Sequence, residues 1–381
     1  MPFKLSSEQE VMQKVAREYA ENKIRPIAAK YDEAEETPLE IIKEMSRLGF
    51  STLTIPEEYG GGGVDALTAC LVIEELAWGC AGITTSATAN SLAAYPILLF
   101  GNEEQKKKYL PPLSNGKLAA FCLTEPGAGS DAGAISTLAT PVDKGFILNG
   151  NKCFITNGGL ADYYTVFATI DRKKGARALS AFIVDRNSPG LSVGKKESKM
   201  GIRASNTTEV IFEDVFVPEE NLLGKKYGGF RIAMTTLDLS RPIIGALAVG
   251  IARAALEKAA QYSKERVQFG KPIGHFQAIQ LKLAEMAMRL EAARMLVCRA
   301  AILADKKKGR ISGASAMAKA YAGDTAMYVT TEALQIMGGY GYMRDYPMEK
   351  YMRDAKIMQI YEGTNEIQKM IIAQDVLRSL K

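Results

Sequence analysis

The sequence predicts an α+β protein in three parts: an N-terminal α-helical domain (1–120), a central antiparallel β domain (121–228) and a C-terminal four-helix bundle (229–381). Three observations predict it. Apolar residues recur at three- and four-residue spacing up to about 120, give way to short alternating runs between turns, and return to helical spacing from about 229. A length of 381 residues suits two or three cores better than one. A composition of 47% hydrophobic and 24% charged residues is that of an ordinary globular chain.

In the first part, Glu8 to Glu21, Pro38 to Leu48, Asp65 to Trp78 and Ser91 to Phe100 carry the helical period. Tyr59 to Gly63 is a glycine-rich loop. Asn102 with the two glutamates after it opens a further short helix, which Pro111-Pro112 is expected to close. In the middle part, Gly145 to Thr156 reads as two strands about an Asn149-Gly150 turn. Tyr164 to Ile170, Ala178 to Val184, Leu191 to Val193 and Thr208 to Val215 are further strands, implying a small barrel or sandwich. Phe230 to Arg266, Phe276 to Asp305 and Ser312 to Met337 are long amphipathic helices, with a short final one at Ile367 to Leu380. Their Ala- and Gly-rich stretches allow close helix approach and leave apolar surface for subunit contacts.

Several function classes are excluded or disfavoured by composition. The net charge of +5 is spread along the chain, so no basic patch calls for nucleic acid. Five cysteines without paired spacing fit free thiols in a reducing compartment. His275, the single histidine, excludes a two-histidine metal site within one chain. The start, Met1 to Leu5, lacks a signal-peptide apolar region, and no run of roughly 18 apolar residues is seen, so no membrane span and a cytoplasmic location are expected.

Four stretches and one residue pair could carry chemistry. Glu362 lies where Gly363 interrupts two helical patterns, with Asn365 and Gln368 placed like a helix N-cap. There it is either a general base with a tuned pKa or a solvated loop glutamate. Thr124 to Ala132 contains G-x-G-x-x-A but leads into strands, so it is not a Rossmann turn; it is a structural turn or a loop offering backbone N–H groups to a cofactor. Arg266 to Ile273, at a bundle end, is a phosphate site or a capped connector. Gln335 to Tyr342, with three glycines, is a close-approach site or a helix stop. Asp238 and Arg241 share a helix face, as a surface ion pair or a site pair.

In their order along the chain these motifs resemble the acyl-CoA dehydrogenase family. They are Leu123 to Asp131, Phe154 to Gly158, Met200 to Arg203, Arg266 to Gly270 with Gln277, Gln335 to Gly339, Arg353 to Lys356 and Tyr361 to Thr364. The resemblance implies a β-barrel in the middle part, a bound FAD, a homotetramer and electron transfer to an electron-transferring flavoprotein. It implies FAD contacts at Phe121, Cys122, Leu123, Thr124, Gly129, Ser130, Phe154, Ile155 and Thr156. Further FAD contacts are implied at Arg266, Phe269, Phe276, Gln277, Gln335, Ile336, Gly338 and Gly339, some across a subunit boundary, and at Thr364 and Glu366. Acyl-CoA contacts are implied at Ser130, Asp238, Arg241, Tyr361 and Gly363, with Glu362 as the base that removes the α-proton while a hydride leaves the β-carbon. Phe154 stands where many members carry Trp. Some members place the base at the position of Ser240, and a serine cannot serve. Ile83 to Asn90, the expected acyl pocket segment, holds no cation, so an uncharged acyl chain is expected. An acyl-CoA oxidase, an enoyl-CoA reductase and a non-catalytic acyl-CoA-binding protein are the rival readings.

Overall fold

The computed structural model describes residues 4–306 and 310–380. Met1, Pro2 and Phe3, part of the start read above, lie outside the described residues.

The first part is helical. α1 (Ser7–Tyr19) opens on a capping box between Ser6 and Gln9 and runs through a π-turn, Ala20–Ile24, into α2 (Arg25–Glu33). α3 (Leu39–Arg47) and α4 (Ala66–Gly79) follow, the latter capped by Asp65 accepting from the Thr68 N–H. α5 covers Ala81–Phe100, twice the span the periodicity gave, because its first half is buried all round and shows no amphipathic period. α6 (Glu103–Tyr109) has a second capping box, Asn102 with Gln105. α6 ends just before Pro111, as expected, and Pro111 also takes the first position of α7 (Pro111–Ser114), where its missing N–H costs nothing.

The middle part is one eight-stranded sheet, β1 (Ala119–Cys122), β2 (Leu138–Val142), β3 (Gly145–Thr156), β4 (Tyr163–Thr169), β5 (Leu179–Asp185), β6 (Leu191–Lys196), β7 (Thr207–Pro218) and β8 (Leu222–Leu223). The order is β6-β7-β3-β2-β4-β5-β8, antiparallel except that β1 and β2 run parallel to β4. Asn149-Gly150 is not a turn. β3 is continuous through it, and the hairpin to β2 turns at Asp143-Lys144, with Lys144 at φ +58°. Asn149 instead pairs side chain to side chain with Asp214 of β7 at 2.9 Å. Gly150 marks a bulge where a Cβ would lie 2.4 Å from the Thr137 hydroxyl, so close strand approach explains the glycine.

The third part holds α8 (Gly229–Glu265), α9 (Gln277–Asp305), α10 (Ser312–Met337), α11 (Gly339–Tyr342), α12 (Met348–Lys356) and α13 (Asn365–Ser379). α10 packs on α8, α9 and α13, giving the four-helix core. α8 is apolar and long enough to cross a membrane by length and composition, yet 78% of its apolar window is buried within the protein. It is therefore read as the bundle's core helix. Gly250 of α8 meets α4 so closely that a Cβ would stand 2.4 Å from the Glu74 carbonyl. At that contact Arg253 reaches Glu75 at 2.8 Å, and Arg294 of α9 reaches Glu74 at 2.9 Å. These partly buried pairs fix the first part against the bundle.

Candidate functional site

A cavity of about 430 Å³ lies where α5, the loop after β1, the end of β3, α8 and the 361–363 turn converge. Glu362 faces it. The turn that presents Glu362 follows a 3₁₀ segment (Ile357–Gln359) and precedes α13. Glu362 and Gly363 both take positive φ, +53° and +96°. A glutamate in that region costs on the order of 1–3 kcal/mol, which the surroundings must supply.

They do so through the carbonyls. Arg241 Nε donates to the Glu362 carbonyl at 3.4 Å, and Lys319 Nζ of α10 donates to the Gly363 carbonyl at 2.8 Å. Lys319 also donates to Asn365 Oδ1 at 3.1 Å, and Gln368 to the Gly363 carbonyl at 3.1 Å. Thr364, not Asn365, caps α13, accepting from the Ile367 N–H. Asn365 is the first helical residue and anchors the turn by donating to Asp324 at 2.7 Å. Among the described residues no partner within the chain faces the Glu362 N–H, which stays available at the cavity.

The carboxylate itself accepts a hydrogen bond from Ser240 of α8. It faces an open cavity, yet protein atoms surround it closely enough that burial raises its pKa above the ordinary glutamate range. The Ser240 hydroxyl, then the Arg241 and Lys319 charges, pull in the opposite direction. Lys319 is lowered to about 8, mainly by burial, with Glu362 opposing that shift. Arg241 is 3% exposed and bridges to Asp238 at 2.7 Å, so this pair is internal and not a surface ion pair. Pro242, next to Arg241, lacks the N–H that the Asp238 carbonyl would receive, so the α8 ladder breaks at the site. Removing the Ser240 hydroxyl takes away the largest effect lowering the Glu362 pKa. In Ser240→Ala the acid limb of a pH–kcat/KM profile is therefore expected to move to higher pH, since the base must be ionised to act. Ser240→Thr is expected to keep the wild-type limb. An unmoved limb in the alanine variant would dissociate Ser240 from the base.

The opposite wall comes from the sheet. Phe121, Leu123, Thr124, Gly129, Ser130, Phe154, Ile155 and Thr156 line the cavity, as do Tyr361 and Gly363. Phe154 sits in a bulge of β3 at φ +57° and is 64% exposed, an aromatic face held out over the opening. Nothing stands within 4 Å of where a Cβ would be at Gly127 or Gly129, so packing within the chain does not demand those glycines. The loop that carries them is pinned from below. The Glu125 carboxylate accepts from Lys152 Nζ at 2.7 Å, from the Ser136 N–H at 2.7 Å and from the Thr137 N–H at 3.0 Å. Burial alone would raise Glu125, but Lys152 and these donors hold it at about 2.

Not every expected residue is here. The Cys122 side chain is buried in the sheet's interior because it points to the other face of β1 from Phe121. Asp238 supports Arg241 but does not line the cavity. Thr364 is used as a cap, and Glu366 lies exposed in the first turn of α13. Arg266, Ile336, Gly338 and Gly339 line a second, shallower cavity of about 550 Å³ at another end of the bundle. Phe269 beside it is 93% exposed, edge-on to Phe276 at 5.9 Å, and Gln277 and Gln335 are exposed. One chain does not bring this group to Glu362.

Sequence reading missed Lys319, Glu125 with Lys152, and the lining residues Leu92, Tyr95, Leu237, Ile243 and Ile244. A lysine inside the small, apolar run Ser312 to Ala322 was the one available signal for Lys319.

Family models match the chain end to end: an acyl-CoA dehydrogenase N-terminal domain over residues 6–117, a middle domain over 120–215 and a C-terminal domain over 227–377. The chain belongs to the acyl-CoA dehydrogenase family. It is 48% identical to a short-chain specific acyl-CoA dehydrogenase of Clostridium acetobutylicum, across 99% of this chain and 100% of that one. It superposes on butyryl-CoA dehydrogenase from Megasphaera elsdenii with a TM-score of 0.96 and 49% identity, covering 99% and 100% of the two chains. A chain in a structure concerning the electron transferring flavoprotein of Acidaminococcus fermentans matches with a TM-score of 0.97 and 49% identity, again covering 99% and 100%.

Proposed function

We propose that this protein dehydrogenates a saturated acyl-CoA thioester at its α and β carbons, with Glu362 as the base. The observation that carries the reading is a buried carboxylate, raised in pKa, facing a sheet-built wall across one cavity. Burial keeps the base strong enough for a thioester α-proton, while Ser240, Arg241 and Lys319 keep it ionisable. The Glu362 N–H, which has no partner among the described residues, would be the donor to the thioester oxygen as it gains charge. Arg241, tied to Asp238, holds the turn and also lines the cavity where the acyl-CoA would lie, and the Ser130 loop borders the CoA entrance.

The sheet wall fits FAD. Phe154 holds an exposed aromatic ring at the cavity with Ile155 and Thr156 beside it in the lining, and the open Gly129 leaves room for a ligand. When bound, FAD supplies the acceptor for the β-hydride. Phe121, Leu123, Thr124, Gly129, Ser130, Phe154, Ile155 and Thr156 would hold it. Arg266, Phe269, Gln277 and Gln335 to Gly339 lie apart within one chain, so they would meet the dinucleotide end of a neighbouring copy. This supports a homotetramer as the working form. An electron-transferring flavoprotein is the proposed acceptor, by analogy with the Acidaminococcus system, and a cytoplasmic location follows the bacterial relatives.

The purified protein is expected to be yellow and to bleach anaerobically when butyryl-CoA is added. Oxygen consumption during turnover would mark an oxidase instead. A colourless protein, or one that no saturated acyl-CoA bleaches, would overturn the reading.

A further inference from the structure

Tyr227, in the turn between β8 and α8, holds φ +71°. That region suits glycine, and a bulky side chain there is an outlier. The backbone around it is pinned. The Tyr227 N–H donates to the Ser180 hydroxyl at 2.9 Å, and a Cβ on Gly229 would stand 2.7 Å from the Ser180 backbone of β5. These contacts fix the turn and ask nothing of the ring. The ring is 47% exposed and, among the described residues, packs against none of the apolar clusters of the fold. Strain retained where packing gains nothing points to a function.

Lys226 Nζ lies 5.3 Å and Lys174 Nζ 6.0 Å from the centre of that ring. The contact with Lys174 brings together two segments remote in sequence, the turn before α8 and the 3₁₀ loop Arg172–Ala178 between β4 and β5. Both segments reach the Glu362 cavity. Ala176 and Phe230 line it, and a Cβ on Gly133 of the Ser130 loop would stand 3.2 Å from the Ala176 Cβ. At no more than about 3.6 Å per residue, the Lys174 backbone lies within about 7 Å of Ala176, and that of Tyr227 within about 11 Å of Phe230. Arg172, Lys173, Lys174, Arg177, Lys225 and Lys226 are all exposed on these two segments. Among the described residues only Lys174 of the six has an acidic partner, Asp171 at 3.6 Å. The acids of the cavity lining itself are Asp131 and Glu362.

An exposed aromatic face flanked by cations suits a purine joined to phosphates: the ring stacks on the base, and the ammonium groups meet the phosphate oxygens. We infer that Tyr227 is a stacking platform for the adenosine phosphate end of the acyl-CoA, with the cations of the two segments as its phosphate lip. The inference rests on the dehydrogenase reading of the Glu362 cavity. The nucleotide then stays outside, and the pantetheine arm carries the thioester in to the base. Tyr227 touches no reacting atom, so its contribution is uniform binding, whose loss raises KM and leaves kcat. An acidic carrier protein bearing the same pantetheine arm would also meet the cations, but it offers no purine to the ring.

The test compares butyryl-CoA with butyryl-pantetheine, which lacks the nucleotide, on the flavin-loaded enzyme. Wild type is expected to favour butyryl-CoA in kcat/KM. In Tyr227→Gly the KM for butyryl-CoA is expected to rise roughly 5- to 150-fold, the span of one aromatic–base stack, while kcat and the butyryl-pantetheine kinetics stay unchanged. Its melting temperature is expected to stay close to that of wild type, since glycine takes this φ freely. Tyr227→Phe keeps the face and is expected to match wild type. Should Tyr227→Gly lose flavin, Tyr227→Asn, which also tolerates this φ, puts the same question. Glutamine at positions 173, 174, 225 and 226 together is expected to raise the KM for butyryl-CoA and flatten its dependence on salt. A folded, yellow Tyr227→Gly enzyme that discriminates the two thioesters as wild type does overturns the inference and leaves the dehydrogenase reading intact. So does a wild type indifferent to the nucleotide, or one that prefers a butyryl acyl carrier protein to butyryl-CoA. A wild type that turns over neither thioester overturns both.

Discussion

Glu362→Gln is expected to lower kcat by roughly 10²–10⁴-fold while flavin and acyl-CoA still bind. The reason lies in how the turn is held. Arg241, Lys319 and Gln368 all grip carbonyl groups of residues 362 and 363, and none of them grips the carboxylate. A glutamine keeps the positive φ already stabilised by those contacts and can still accept from Ser240. What it cannot do is take a proton. Steady-state rates with bound flavin measured by absorbance separate loss of chemistry from loss of fold. Retention of most activity in a yellow Glu362→Gln protein would place the base elsewhere.

The second large effect concerns stability. Lys152→Met leaves the Glu125 carboxylate buried beneath the site loop with no counter-charge, since both side chains are essentially inaccessible. Breaking a buried pair from one side costs about 3–5 kcal/mol. Replacing both partners, in Lys152→Met with Glu125→Leu, is expected to recover much of that loss, because no charge then remains buried; the recovery is limited by the Ser136 and Thr137 N–H groups left without an acceptor. Denaturant melts of the two variants check this. The pair also has a pH signature. The Glu125 carboxyl titrates at about 2 in the fold and in the ordinary glutamate range of about 4.3 when unfolded. Its stabilisation is thus full above the unfolded value and is lost as pH falls toward about 2. A wild-type stability curve that is flat over that window would contradict the assignment.

Much of the fold was legible because periodicity and caps are local. The three long bundle helices and most strands fall within a few residues of where the apolar spacing puts them. The misses share a cause. The first half of α5 is buried on every side, so burial erased the period that would have revealed it. Asn149-Gly150 carries the turn signal, yet Asn149 is satisfied by Asp214 across the sheet and Gly150 by contact with Thr137. A tertiary partner overrode a local preference in each case.

The site divides in the same way. Glu362 and the Gly127 to Ser130 loop were readable because each breaks a local pattern, and the run at Phe154 only through the family resemblance. Their partners were not. Lys319 lies 43 residues before Glu362, in a run whose spacing carries no mark of the contact. The arginine and glycine motifs at Arg266 and Gln335 to Gly339 were recognised, but one chain leaves them at a separate cavity.

By itself, then, the sequence determined the three-part plan and the family and singled out Glu362 as the proposed base, since chain-local patterns and an ordered motif set suffice for these. Tertiary structure decided the rest: that Arg241 holds the turn, that Ser240 bonds the Glu362 carboxylate, and that Lys319 reaches the Gly363 carbonyl. Those roles depend on distances between segments remote in the chain, and packing alone sets such distances.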